Sequence, residues 1–415
     1  MSLPEVTDLR AVDRAVVYKA GQLAGTLIRE RDDVVFTYDD AYLADPVAPA
    51  VAFSLPKSAA PVRSGAGAVP PFFAGLLPEG LRLEAMTAAA RTSADDHLTL
   101  LLAVGADAIG DVQVLPVDAM PFESPPVLTL AGTSSVDFAA VFAKATSTDP
   151  TQTERAALPG VQVKVSAMVM STLVDTTAGP AILKLDPPSY PHLARNEDLF
   201  LAMAGACGLP VPGHRILTDA AGRAGLLVAR FDRLAGADGT WRRLAQEDAC
   251  QVLGRYPAAK YRLTLQEVAA ALASAVAAGG GSRPLALRRI LETAAFSYLI
   301  GNGDLHGKNL SIRLTPAGRW EVTPAYDLVS TQPYLAWRDP MALPMYGRAN
   351  RLTRRWWLDA AQRLGLPERA MARVLDRIVT RSAPWLDRLG DIGFDDRTTT
   401  RLQDLIDARR LELAG

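Results

Sequence analysis

The sequence predicts an α+β protein of two to three domains, and three observations carry that expectation. A strand-rich block, a helical block, a second strand-rich block and a long helical remainder follow one another along the chain. The length of 415 residues exceeds what one ordinary core accommodates, since about 150 residues per domain is the usual scale. Apolar residues make up 49% against 21% charged, which excludes a disordered chain.

The elements are read in order. Residues 3–55 predict short strands: Val16-Val17-Tyr18 and Thr26-Leu27-Ile28 about a Gly21/Gly25 turn region, then Val34 to Tyr38 after the turn Arg31-Asp32-Asp33. From Pro70 the pattern is helical, with good helix formers from Leu81 to Arg91 and Ser93 as the expected cap of a helix carrying His97 to Val104. Gly105 and Gly110 interrupt it. Residues 116–150 hold many Pro, Ser and Thr, which predicts a linker or peripheral segment. A second strand-rich block opens near residue 156. There Val163, Val165, Ala167 and Val169 alternate with Lys164, Ser166 and Met168, and Ala181 to Leu185 is a further strand. Asn196 to Cys207 predicts a helix ended by Gly208, and Gly225 to Arg230 an apolar strand. Beyond about residue 246 helices dominate. Leu287, Ile290, Leu291, Ala294, Ala295, Tyr298 and Leu299 follow helical spacing straight into Gly301.

Composition excludes several function classes. The net charge of −1 gives no global basic field for autonomous nucleic-acid binding. Cys207 and Cys250 are spaced for neither a disulfide framework nor a zinc cluster. No run of about 18 apolar residues predicts a membrane span, and Met1 to Glu5 lacks the pattern of a secretory signal. The expected setting is the reduced cytoplasm, with no membrane partner.

The chemistry concentrates in Asn302-Gly303-Asp304-Leu305-His306-Gly307-Lys308-Asn309, where every position except Leu305 is polar or glycine. A polar loop between a buried helix and a short apolar strand is costly unless something uses it. Asp304 and Asn309 stand five apart, the spacing of a protein-kinase catalytic loop, in which Asp orients the substrate hydroxyl and Asn holds magnesium. Lys308 is placed to neutralise charge on a transferred phosphoryl group. After the next strand, Ala325-Tyr326-Asp327 delivers the second carboxylate that magnesium requires. Lys184 sits within Ile182-Leu183-Lys184-Leu185, as a phosphate-binding lysine sits in a kinase N-lobe, and Glu197 is its candidate ion-pair partner. Pro159-Gly160-Val161-Gln162-Val163-Lys164 is a turn entering a strand and matches neither common phosphate loop. Of the seven lysines in the chain, Lys164, Lys184 and Lys308 fall in these segments. Bland readings stand beside these: Lys184 as an edge-strand residue, Glu197 as a helix-terminus acid, and Arg230-Phe231-Asp232-Arg233 as a salt-bridged strand end or an interlobe hinge.

Taken together the segments resemble the HipA-like serine/threonine kinase toxins of bacterial toxin–antitoxin systems. The resemblance rests on Phe72 to Gly80, Val104 to Gly110, Gly160 to Lys164, Ile182 to Lys184, Asn196-Glu197, Val228 to Arg233, Asn302 to Asn309 and Ala325 to Asp327, all in the family's order. It implies an α+β, protein-kinase-like two-lobed domain with a β-rich N-lobe and a helical C-lobe, preceded by a small α/β amino-terminal domain. The implied bounds are 1–118 for that domain, 119–152 for a linker or peripheral segment, 153–235 for the N-lobe and 236–415 for the C-lobe. It further implies ATP and Mg²⁺, with Asp304, His306 and Lys308 as catalytic residues and Asn309 and Asp327 as metal ligands. Nucleotide contacts fall to Pro159, Gly160, Val161, Gln162, Val163, Lys164, Lys184, Ala229, Arg230, Phe231 and Tyr326. The implied substrate is a protein, of the kind of an aminoacyl-tRNA synthetase. The implied partner is a small helix-turn-helix antitoxin (HipB-like), through which alone DNA is reached. Two departures stand out: Ala157 replaces the serine that several members autophosphorylate, and Ala229 replaces a frequent Glu. The alternatives are a catalytically weak co-repressor subunit of an antitoxin–DNA complex and a small-molecule kinase.

Overall fold

The computed structural model describes residues 5–122, 128–130, 136–149, 170–176, 178–236 and 239–415. The expected phosphate loop from Pro159 to Lys164, the alternation from Val163 to Val169, and Ala157 lie outside the described residues.

The first layer is an antiparallel sheet in the order β4-β3-β2-β1-β5, built from β1 (Arg14–Lys19), β2 (Gln22–Glu30), β3 (Asp33–Tyr38), β4 (Val62–Ser64) and β5 (Val112–Pro116). The turn between β1 and β2 is Ala20-Gly21, both at positive φ, as a tight hairpin with right-twisted strands requires. Gly25 is not part of it. It lies inside β2, where the Thr37 carbonyl would stand 2.4 Å from a Cβ. Helices α1 (Asp40–Ala44), α2 (Pro71–Ala74), α3 (Gly80–Ala89) and α4 (His97–Val104) cover the sheet. Asp96, not Ser93, caps α4 by accepting from the Thr99 amide. Leu98 to Val104 are all buried, so α4 is a core helix with no solvent face.

The second sheet runs β6-β7-β8-β10-β9, from β6 (Leu128–Leu130), β7 (Met170–Thr176), β8 (Gly179–Leu185), β9 (His214–Thr218) and β10 (Ala224–Ala229). Helix α5 (Phe138–Ala145) covers one face, joining Leu183, Leu185, Leu217 and Leu227. Helix α6 (Leu193–Ala206) covers the other, with Leu226 and Val228. The strand period of two sorts the side chains between these faces. Residues 119–152, expected as a linker or peripheral segment, therefore supply a strand and a helix of this layer. The Pro, Ser and Thr residues flanking Phe138 to Ala145 had masked a short apolar stripe.

The remainder is helical around a small sheet. It holds the hairpin β11 (Arg233–Ala235) and β12 (Trp241–Arg243), then β13 (Gln246–Asp248), α7 (Ala249–Val252), α8 (Leu265–Ala278) and α9 (Arg283–Ile300). β14 (Ser311–Leu314) and β15 (Trp320–Val322) complete the sheet β13-β14-β15, and α10 (Arg354–Arg363), α11 (Glu368–Ser382) and α12 (Asp396–Ala414) close the chain. Helix α9 is buried almost throughout from Ala286 to Ile300, at the centre of the largest apolar core. Full burial of one Leu, Ile or Phe stabilises by about 1.5–3 kcal/mol, so α9 is firmly anchored where it feeds the loop.

The amino-terminal layer grips both others. Arg82 donates to the Ser171 carbonyl in β7 at 2.6 Å. Asp107 accepts from Arg230 at 3.1 Å and from Arg233 at 2.8 Å, beside Asp232. Gln251 in α7 donates to the Phe72 carbonyl at 3.0 Å, and Phe53 donates its amide to the buried Glu247 carboxylate.

Candidate active site

Helix α9 ends where Gly301 takes φ +75°, a left-handed cap that glycine adopts without a Cβ clash. The loop that follows is buried, and its polar groups are spent internally. The Asp304 amide donates to Asn302 Oδ1 at 2.8 Å, and the Gly303 amide donates to Thr331 Oγ1 at 3.0 Å. The amide of Lys308 donates to His306 Nδ1 at 3.2 Å, and Asn309 Nδ2 donates to the Asp304 carbonyl at 2.9 Å. Gly307 donates to the Lys260 carbonyl at 3.1 Å. Buried polar groups need such partners, and here they fix one loop conformation.

A cleft between the second sheet and this loop is lined by Lys184, Glu197, Ala229, Arg230, Phe231, Lys308, Asn309, Tyr326 and Asp327. Lys184 stands on the α6 face of β8. Its ammonium reaches Glu197 Oε1 at 2.7 Å and Oε2 at 2.9 Å, and also meets Asp327. Burial works against that charge, but the two carboxylates outweigh it and raise the Lys184 pKa well above its ordinary value. Burial raises Glu197, with Lys184 opposing. We take the pair as ionised, because each charge has its counter-ion within hydrogen-bond reach. Asp327 itself sits at φ +53°, a strained position for a residue with a Cβ, held by Asn302 Nδ2 on its carbonyl at 3.3 Å. Tyr326 donates to the Lys308 carbonyl at 2.7 Å and pairs with Ser311 Oγ at 2.5 Å. Its ring lies 5.7 Å from that of Phe231.

Three residues are placed differently from the simple expectation. Asp304 and His306 do not line the cleft; both are buried behind it. Asp304 Oδ1 accepts from the Tyr261 hydroxyl at 2.5 Å, which burial and this carboxylate raise well above a normal phenol pKa. The Arg230 guanidinium turns away to Asp232, Asp107 and the Ala108 carbonyl. The amides of Ala229 and Arg230 are already committed to the Gly213 and Pro180 carbonyls, at 2.8 and 3.0 Å. The strand end is therefore both a salt-bridged turn and a cleft edge. Sequence reasoning missed Tyr261, Lys260, Asp248 and the role of Glu79. Asp248 lines the cleft opposite Ser311, and burial lifts its carboxyl to about 6 against the pull of Lys308.

Magnesium carried on phosphates takes only one or two protein oxygens. Asn309 spends its amide nitrogen on Asp304, so its oxygen remains for a cation, and Asp327 offers a carboxylate on the same cleft. Among the described residues no cluster of three or more His, Cys, Asp or Glu forms a separate metal cage. Among them, too, no helix is long and apolar enough to cross a membrane.

Comparison with known proteins follows the same outline. Residues 15–115 match the HipA N-terminal domain and residues 156–386 the HipA-like C-terminal domain. Protein Y4mE of Sinorhizobium fredii is 30% identical over 414 residues, covering 95% of this chain and 96% of that protein. The serine/threonine-protein kinase toxin HipA of Shewanella oneidensis is 28% identical over 298 residues, covering 66% of this chain and 65% of the toxin. A chain of the solved Shewanella oneidensis complex of HipA, HipB and operator DNA superposes with a TM-score of 0.74 at 21% identity, over 95% of this chain and 96% of that one. It shares the two-lobed kinase-like fold.

Proposed function

The chain belongs to the HipA-like kinase toxin family, and from that premise we propose that it transfers the γ-phosphoryl group of ATP to serine or threonine hydroxyls of a protein. The observation that carries the reading is the convergence of Lys184, Glu197, Asn309 and Asp327 on one cleft, with Asp304 directly behind Asn309. In this reading Lys184, held by Glu197, contacts the nucleotide phosphates, together with the loop Pro159 to Lys164. Phe231 and Tyr326 present ring surface toward the base, and the carbonyls along Ala229 to Phe231 receive its amino group. Asn309 and Asp327 hold Mg²⁺, which supplies charge neutralisation on the phosphates when bound. Asp304 orients the acceptor hydroxyl and takes its proton. His306, with Nδ1 accepting from the Lys308 amide, shapes the loop between Asp304 and Asn309.

Transfer to an aminoacyl-tRNA synthetase, growth inhibition, and neutralisation by a HipB-like helix-turn-helix antitoxin complete the proposal. The superposable Shewanella oneidensis protein is seen with HipB and operator DNA, which supports an antitoxin as the route to DNA for a chain of net charge −1.

The test is phosphate transfer from γ-labelled ATP–Mg²⁺ into a host lysate. Wild type is expected to label a discrete protein band, and Asp304→Gln to reduce that labelling by about 10²–10⁴-fold while retaining the fold. Equal labelling by the mutant would remove Asp304 from the mechanism. No labelling by a folded, nucleotide-binding wild type would favour a co-repressor without catalysis.

A further inference from the structure

The amino-terminal domain reaches the catalytic loop through one carboxylate. Glu79 stands at the turn before α3 and is 8% exposed. Its Oε1 accepts from Lys308 Nζ at 2.5 Å, and its Oε2 meets Lys260 Nζ. Lys308 Nζ also donates to the Gly75 carbonyl at 3.2 Å, so both hydrogen bonds of this ammonium go to the segment Gly75–Glu79. The neighbouring Lys260 carbonyl holds the Gly307 amide. Gly75 is itself pinned: a Cβ there would stand 2.7 Å from the Gln251 side chain of α7. A carboxylate 229 residues away in sequence thus fixes both sides of the turn Gly307-Lys308, one residue before Asn309.

A lysine whose main partner is a phosphoryl group directs its ammonium at that group. This one is 5% exposed and directs two of its three N–H bonds at the amino-terminal domain. Moving it would leave Glu79 facing Lys260 alone and the Gly75 carbonyl without its donor, and unpaired buried groups are expensive.

We propose that Glu79 is a positioning residue for phosphoryl transfer, contributed by the amino-terminal domain, and that Lys308 is the strut through which it sets the catalytic loop. This rests on the kinase reading for its catalytic consequence and on geometry alone for its structural one. The strut replaces the role first expected for Lys308, direct neutralisation of the transferred group.

The full-length protein tests it by two measurements. The first is hydrogen exchange of residues 301–310, with residues 14–38 as the internal reference. The second is steady-state transfer from ATP–Mg²⁺ to the labelled lysate protein, with fluorescent ATP analogue binding measured in parallel. Glu79→Gln is expected to speed exchange in 301–310 at least tenfold with the reference unchanged. It is expected to lower kcat at least tenfold while the nucleotide Kd stays within threefold. Glu79→Gln combined with Lys308→Gln should lose no more than the worse single variant, because both cut the same strut. Glu79→Asp should recover part of the loss. If Glu79→Gln does not fold with two buried lysines, the same comparison is made in a Lys260→Met background, which removes one of them.

Unchanged exchange in 301–310 would overturn the proposal. So would a tenfold weaker nucleotide Kd in Lys308→Gln with full transfer by Glu79→Gln, which would make Lys308 a phosphate contact. A wild type that transfers nothing would sink the kinase reading instead, and the exchange comparison would still decide Glu79.

Discussion

At the scale of single residues, the site is a set of short-range relations that spacing reveals and a set of long-range ones that it does not. Asp304 and Asn309 share one turn, and Lys184 and Glu197 are 13 residues apart on a strand and the helix after it. Such pairs leave a local trace. Tyr261 and Asp304 are 43 residues apart, and Glu79 and Lys308 are 229 apart; nothing periodic in the chain connects them. The Tyr261 contact has a kinetic meaning. Its hydroxyl donates to one of the two Asp304 carboxylate oxygens, so under the proposed mechanism an acceptor hydroxyl directed at that oxygen would compete with it. Tyr261→Phe is expected to lower the KM for the protein acceptor severalfold and leave the KM for ATP unchanged. A rise in both would instead make the tyrosine a support of the cleft wall. The ring contact of Tyr261 with His306, at 5.1 Å, is retained in the variant, which isolates the hydroxyl.

At the scale of elements, the strongest sequence signals gave the elements that hold the site. Leu287 to Leu299 reads as a helix because its apolar residues recur at three and four positions, and α9 is buried on nearly every side. Strand β8 was legible as a short apolar run, Ala181 to Leu185, broken only by Lys184. Helix α5 was not, since eight residues between polar and proline-rich flanks offer little periodicity. The cap of α4 was misplaced by three residues because Ser93 and Asp96 are both good caps and only the fold selects the aspartate. Because α9 is anchored by packing and not by the site, its core and the chemistry should separate. Ile290→Ala is expected to destabilise by about 2–5 kcal/mol, read from the urea midpoint at constant slope. The KM for ATP should not change in protein that remains folded. A KM shift comparable to the stability loss would mean that α9 packing tunes the loop.

At the scale of the whole molecule, three layers meet around one cleft, and one buried acid reports on their joint. Glu247 in β13 accepts from the Phe53 amide of the amino-terminal layer, near Lys19, Asp111 and Asp248. Burial raises its pKa from 4.5 to about 8, with Lys19 opposing. The folded protein therefore keeps a proton that the unfolded chain releases above about 4.5. The stability from this group is fully present below that pH and is lost as pH rises toward 8. Glu247→Gln, which cannot ionise, is expected to match wild type near pH 4.5 and exceed it in urea midpoint at pH 8. Parallel curves for the two proteins across that range would show that the group titrates normally. The two amino-terminal turns that hold the cleft, Gly75–Glu79 at the loop Asn302 to Asn309 and Asp107–Gly110 at Arg230 and Arg233, bear also on recombination. A chimera joined near residue 118 would keep every residue of the kinase lobes and still receive foreign partners for Lys308, Lys260, Arg230 and Arg233. The unit that can be exchanged intact between relatives is thus larger than a domain: donor turns and recipient lysines and arginines have to travel together.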